Sequence, residues 1–148
     1  MTPNELLITL DRLLEDAKTG VLTTLGPDGR PRLRWMTPRR IKGRPRCLYT
    51  VSEAHAEKVA EIQADPRVAW LVQPSSLREV LTFDGRATVI DDPSLLQEFL
   101  EAVGKDLFMV WHLHPAPTRP HFVVIETELD RGTRLDARTG EIQSVTFG

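Results

Sequence analysis

The sequence predicts a mainly β fold: a small barrel of about six to eight antiparallel strands with three helices. Two observations carry this. Short apolar or alternating runs recur between Gly- and Pro-rich breaks, and only three stretches show helical spacing. The 148 residues suit one domain, 1–148, with 41% apolar content, ordinary for a packed core. There are no repeats and no low-complexity segments.

Thr2-Pro3-Asn4-Glu5 reads as a capping box with Pro at the first helical position. Leu6, Leu10, Leu13, Leu14 and Ala17 follow at helical spacing, and Gly20 is the expected stop. Three strands come next, Val21 to Leu25, Pro31 to Ile41 and Arg46 to Val51. Gly26-Pro27-Asp28-Gly29 and Lys42-Gly43-Arg44-Pro45 separate them as turns. In the second strand, Arg30, Arg32, Arg34 and Met36 share one face, Leu33 and Trp35 the other. Pro38 has no N–H to donate and should break the ladder there, freeing backbone groups around Met36 and Thr37.

A second helix is expected from Glu53 to Ala64, capped by Ser52. Its apolar residues Val59, Ala60 and Ile62 point inward, leaving Glu57, Lys58 and Glu61 largely outward. Helix N-termini attract phosphate, and Thr50, Ser52, His55 and Lys58 lie near this one. Arg67 to Val72 is the fourth strand, and Glu79 to Ile90 the fifth, with Gly85 marking a bulge or bend. Asp92-Pro93 opens a third helix bearing Leu95, Leu96, Phe99, Leu100 and Val103. Phe122 to Leu129 is a sixth strand; Thr133 to Asp136 and Ile142 to Phe147 form a last hairpin.

The charge is unevenly placed. Arg30, Arg32, Arg34, Arg39, Arg40, Lys42, Arg44 and Arg46 lie together with no acidic residue among them. Apart from those eight, 11 basic residues face 21 acidic ones, a balance of −10. A basic hairpin on an acidic body suits a small anion better than nucleic acid, which needs a broad positive surface. Cys47 is the only cysteine, so no internal disulfide forms, and no apolar run is long enough to cross a bilayer. With no signal-peptide pattern in MTPNELL, a soluble cytoplasmic protein is expected. Trp111, His112, His114 and His121 lack a recognisable metal-ligand spacing, and the sequence leaves their role open; packing of aromatics is the better expectation for that stretch.

The runs GVLTTLGPDGRPRLRWMTPRR, LYTVSEAHAEKVAEIQADPRVAWLV and LTFDGRATVIDDPSL resemble the pyridoxamine 5′-phosphate oxidase-like family, in particular the general stress protein branch of the FMN-binding split barrels. The matching elements are Asp28 to Pro31, Arg34-Trp35-Met36, Thr50 with Lys58 and Asp65-Pro66-Arg67-Val68, and Gly85-Arg86-Ala87. The resemblance implies a split barrel and a homodimer with two FMN sites at the interface. It implies Arg34, Thr50 and Lys58 at the phosphate, and Met36, Thr37 and Pro38 along the ring, with Trp35 beside it where relatives more often carry Pro. It also implies flavin-dependent oxidoreductase activity, or a flavin-binding stress module with little turnover. Some relatives hold a deazaflavin or heme instead. RGTRLDARTG does not match the substrate motifs of the true oxidases, so that specific activity is not expected. No side chain stands out as an acid or base.

Overall fold

The computed structural model describes residues 1–103 and 121–148. In order, these form α1 (Pro3–Ala17), β1 (Gly20–Leu25), β2 (Pro31–Met36), β3 (Cys47–Glu53), α2 (Glu57–Ala64), β4 (Arg67–Val72), β5 (Glu79–Ile90), α3 (Pro93–Val103), β6 (Phe122–Asp136) and β7 (Ile142–Thr146). The strands form one antiparallel sheet in the order β2-β1-β4-β5-β6-β3, with β7 added to β6. The two rims of this order, β2 and β3, are neighbours in the chain. A single bridge between Arg39 and Tyr49 joins them and rolls the sheet into a barrel. The expected mainly β split barrel with three helices is the fold observed.

α1 begins where the capping box places it: Glu5 N–H donates to the Thr2 hydroxyl, and Thr2 N–H reaches the Glu5 carboxylate. Leu6, Leu10, Leu13 and Leu14 are buried against the barrel interior with Leu22, Trp70, Leu81 and Phe83. The helix stops earlier than expected. Lys18 adopts the left-handed conformation and its N–H returns to Leu14 O, so Gly20 is free to open β1. Fully burying each such leucine is worth about 2 kcal/mol, which makes α1 the plug of the barrel.

Three other boundaries differ from the sequence reading. β2 ends at Met36 instead of running to Ile41, because the Pro38 position interrupts the ladder and only Arg39 pairs again. α2 begins at Glu57, not Glu53. β3 continues to Glu53 through its pairing with Phe122, Ala54 N–H donates to His121 O, and Ala56 becomes the N-cap, without a side-chain bond. Long-range sheet pairing therefore outcompetes the local cap at Ser52. β6 is one strand where two were expected, since β5 pairs along most of it, from Ile90↔Val124 to Glu79↔Asp136.

The bulge foreseen at Gly85 is present. Asp84 pairs with Arg131 and Gly85 with Leu129, so Asp130 is the extra residue. A Cβ on Gly85 would stand 2.5 Å from Glu128 O, closer than any side chain tolerates. α3 starts as read, with Ser94 N–H donating to the Asp92 carboxylate, and covers the other side of β3 and β6 through Leu95, Phe99 and Val103.

Candidate functional site

The alternation of β2 decides what the site is made of. Arg32, Arg34 and Met36 pair with Thr24, Leu22 and Gly20 of β1 and share their inward face. Leu33 and Trp35 face the opposite way, 69% and 51% exposed. The two faces thus separate polar and apolar functions across one strand, as the period-2 reading expected.

On the inner face, Arg34 is tightly held. One terminal nitrogen donates to the Thr24 hydroxyl at 2.9 Å and to Leu22 O at 3.3 Å; the other reaches Glu61 at 3.3 Å. Glu61 sits on α2 with only 6% of its surface exposed, which corrects the expectation that it points outward. It also accepts from the Thr24 hydroxyl at 2.8 Å and pairs with Arg32 at 3.2 Å.

Lys58 lies on the same flank of α2, half-buried, with its ammonium 3.4 Å from the Ser52 hydroxyl. Burial lowers its pKa below the ordinary lysine value, and the charge of Arg34 lowers it further; Glu53 and Glu61 act in the opposite direction. The charge of Arg34 on β2 thus acts on Lys58 on α2, and Glu61, ion-paired with Arg34, offsets it. Both are residues that the family resemblance implies at the phosphate.

Thr50 is fully buried, and its hydroxyl lies 3.4 Å from Thr37 O as donor. Thr37 and Pro38 are buried, and Arg39 donates to Pro38 O at 2.7 Å. At the Pro38 break, the Thr37 and Pro38 carbonyls accept hydrogen bonds within the chain. Met36 is buried at the end of the ladder. His55 is exposed, and His121 pairs with Asp91 at 2.9 Å. Trp111, His112 and His114 lie outside the described residues, and no metal-binding cluster occurs among the described residues.

The basic hairpin is largely answered by the acidic body. Arg30 and Arg32 approach Asp28, Arg40 pairs with Asp11, Arg44 with Glu98, and Arg46 with Glu128 and Asp130. A roomier cavity of about 510 Å³ lies away from Arg34, between α1 and residues 39–45. Arg40 and Arg44, two of the cations lining it, are ion-paired with Asp11 and Glu98, as Arg34 is with Glu61.

The pyridoxamine 5′-phosphate oxidase family model matches residues 7–135, spanning every element that builds this arrangement. The chain belongs to the pyridoxamine 5′-phosphate oxidase family. Solved structures share the fold of this family member. General stress protein 26 from Bacillus anthracis superposes with a TM-score of 0.71 at 20% identity, covering 95% of this chain and 99% of that one. A pyridoxamine 5′-phosphate oxidase-related, FMN binding protein from Nostoc punctiforme gives 0.70 at 19%, covering 100% and 98%. A protein described as an F420 reductase gives 0.63 at 22%, covering 82% and 94%. No curated protein matches the chain.

The site residue that sequence reasoning missed is Glu61. Its spacing from Lys58 puts the two on one helical flank, and Thr24 shares a face with Arg34 across the β1–β2 pair; together these were the available signals.

Proposed function

We propose that this family member is a homodimeric FMN-binding oxidoreductase with its cofactor sites at the subunit interface. The observation that carries the reading is the placing of Arg34 on β2, fixed by Thr24 and Glu61, with the half-buried Lys58 on the same flank of α2 as Glu61. A phosphate monoester there would take charge-assisted hydrogen bonds from both cations. The residues present fit the group on this ground.

Arg34 and Lys58 hold the phosphate in this reading. Met36, Thr37 and Pro38 follow in the chain directly and lie along the flavin ring, with Trp35 at its side. Thr50, assigned by family resemblance to the phosphate, supports the Thr37 carbonyl from within the barrel. The exposed row of Leu33 and Trp35 is the apolar wall that a second subunit completes. When bound, the flavin supplies two-electron redox chemistry, and the protein supplies orientation and electrostatics.

The test compares FMN with riboflavin. FMN should raise the thermal midpoint, as a ligand specific to the native state does, and the shift should survive moderate salt. Arg34→Ala should weaken FMN by about 10- to 100-fold and leave riboflavin nearly unchanged. Equal loss for both ligands would place Arg34 elsewhere. A deazaflavin cofactor in place of FMN is read from the same titration, by a shift that FMN fails to give.

A further inference from the structure

A buried ion pair seldom stabilises a fold more than apolar packing in the same space. The carboxylate of Glu61, buried under α2, therefore calls for a role besides stability. Its geometry supplies one. The Thr24 hydroxyl accepts from Arg34 and donates to Glu61, and Glu61 itself accepts from Arg34, so the three close a ring. With Leu22 O added, both terminal nitrogens of Arg34 are bonded to protein, and β1 and α2 together fix the plane of the guanidinium. The same carboxylate acts on Lys58, which is faced by Arg34 from β2, Glu53 from β3 and Glu61 from its own helix. Glu61 favours the charged form of that lysine.

We propose that Glu61, bridged by Thr24, is a positioning residue for the phosphate-binding Arg34, whose guanidinium it orients beside Lys58. The inference rests on the preceding reading of Arg34 and Lys58 as a phosphate site. It makes an unusual claim about sign. A carboxylate acting only through its charge would oppose a phosphate, so neutralising it would tighten FMN binding. A carboxylate acting through position does the reverse.

The experiment measures FMN and riboflavin affinities across pH for the full chain and two variants. Glu61→Gln keeps size and an acceptor but removes the charge. It should lower the ratio of FMN to riboflavin affinity by about tenfold, with riboflavin unchanged. The alkaline loss of FMN binding should also move to lower pH, because Lys58 has lost a group that favours its charge. Thr24→Val removes the bridge and keeps the charge. It should lower the ratio by less and leave the alkaline limb in place.

A ratio that is unchanged or raised in Glu61→Gln overturns the proposal. So does an equal loss for both ligands, the mark of a simple tether between α2 and the sheet. If Glu61→Gln does not fold, Thr24→Val decides, and an unchanged ratio there overturns the proposal as well. A native protein that fails to distinguish FMN from riboflavin removes the phosphate reading itself and this inference with it. A native protein that does distinguish them, beside an unaltered Glu61→Gln, removes this inference alone.

Discussion

Lys58 is a lysine whose proton is less firmly held than in water, because burial and the neighbouring Arg34 both disfavour its charge. The sign of the consequence follows from linkage. A bound phosphate favours the protonated ammonium, so FMN affinity is full at neutral pH and falls as pH rises through the lysine pKa of the free protein. That pKa lies below 10.5, and the fall should therefore begin earlier than for an exposed lysine. Lys58→Ala should abolish this alkaline limb; a native protein whose FMN affinity is flat to high pH would contradict the assignment. Arg34 and Lys58 were legible in the sequence as basic positions on a strand and an adjoining helix. Glu61 was not, because the helix face was assigned from Val59, Ala60 and Ile62 alone. A short helix has two flanks, and the one that meets the β1–β2 hairpin carries Glu61, where β2 offers Arg34 and β1 offers Thr24.

Elements that carry their own signal were legible; those fixed by distant partners were not. The capping box of α1 and the Asp92 start of α3 are local, and both stand where the residues put them. The start of α2 and the length of β6 depend on pairing between segments far apart in the chain, which no local pattern reveals. Gly85 lies between the two kinds. The glycine is visible inside an alternating strand, but the extra residue it accommodates, Asp130, lies on the partner strand. Gly85→Ala sets a Cβ against the Glu128 carbonyl and the Thr127 methyl, so the bulge must open or the strands part. We expect a loss of about 1–3 kcal/mol in denaturant unfolding, without change in which flavin is preferred. No loss would mean that the bulge relaxes freely.

At the scale of the whole molecule, one outer face is left with apolar side chains toward solvent. Trp35 lies opposite Val21, and Val21 opposite Leu71; Leu33 lies opposite Thr23, and Thr23 opposite Ala69. These two cross-strand rows form a continuous surface on β2, β1 and β4, with Leu33 and Trp35 its most exposed members. Such a surface suits a self-complementary contact between two copies. The native chain is expected to sediment as a dimer at micromolar concentration. Trp35→Glu should yield folded monomers that have also lost flavin, since the proposed site is completed by the second subunit. A Trp35→Glu variant that remains dimeric would move the interface elsewhere. The barrel class was legible because alternation and turn residues are local and repeated. The strand order β2-β1-β4-β5-β6-β3 was not, since the strands share the same kind of pattern and nothing in it names a partner.

The Arg39–Tyr49 bridge has a kinetic consequence. Elsewhere around the barrel, neighbouring strands share a ladder, whereas the backbone pairing at the seam is two bonds of 2.8 Å between these residues, with the Thr50 hydroxyl reaching Thr37 O beside them. The segments it joins are close in sequence, so parting them leaves the long-range ladders of β5 and β6 intact and costs little chain entropy to reverse. Native-state amide exchange should therefore release Arg39 and Tyr49 by local opening, well before Val124 and Ile125, which exchange with the barrel as a whole. The slit exposed on opening borders Thr37 and Pro38. A flavin bound along that segment would act as a clasp, and its measured effect on those two amides would report how often the barrel breathes.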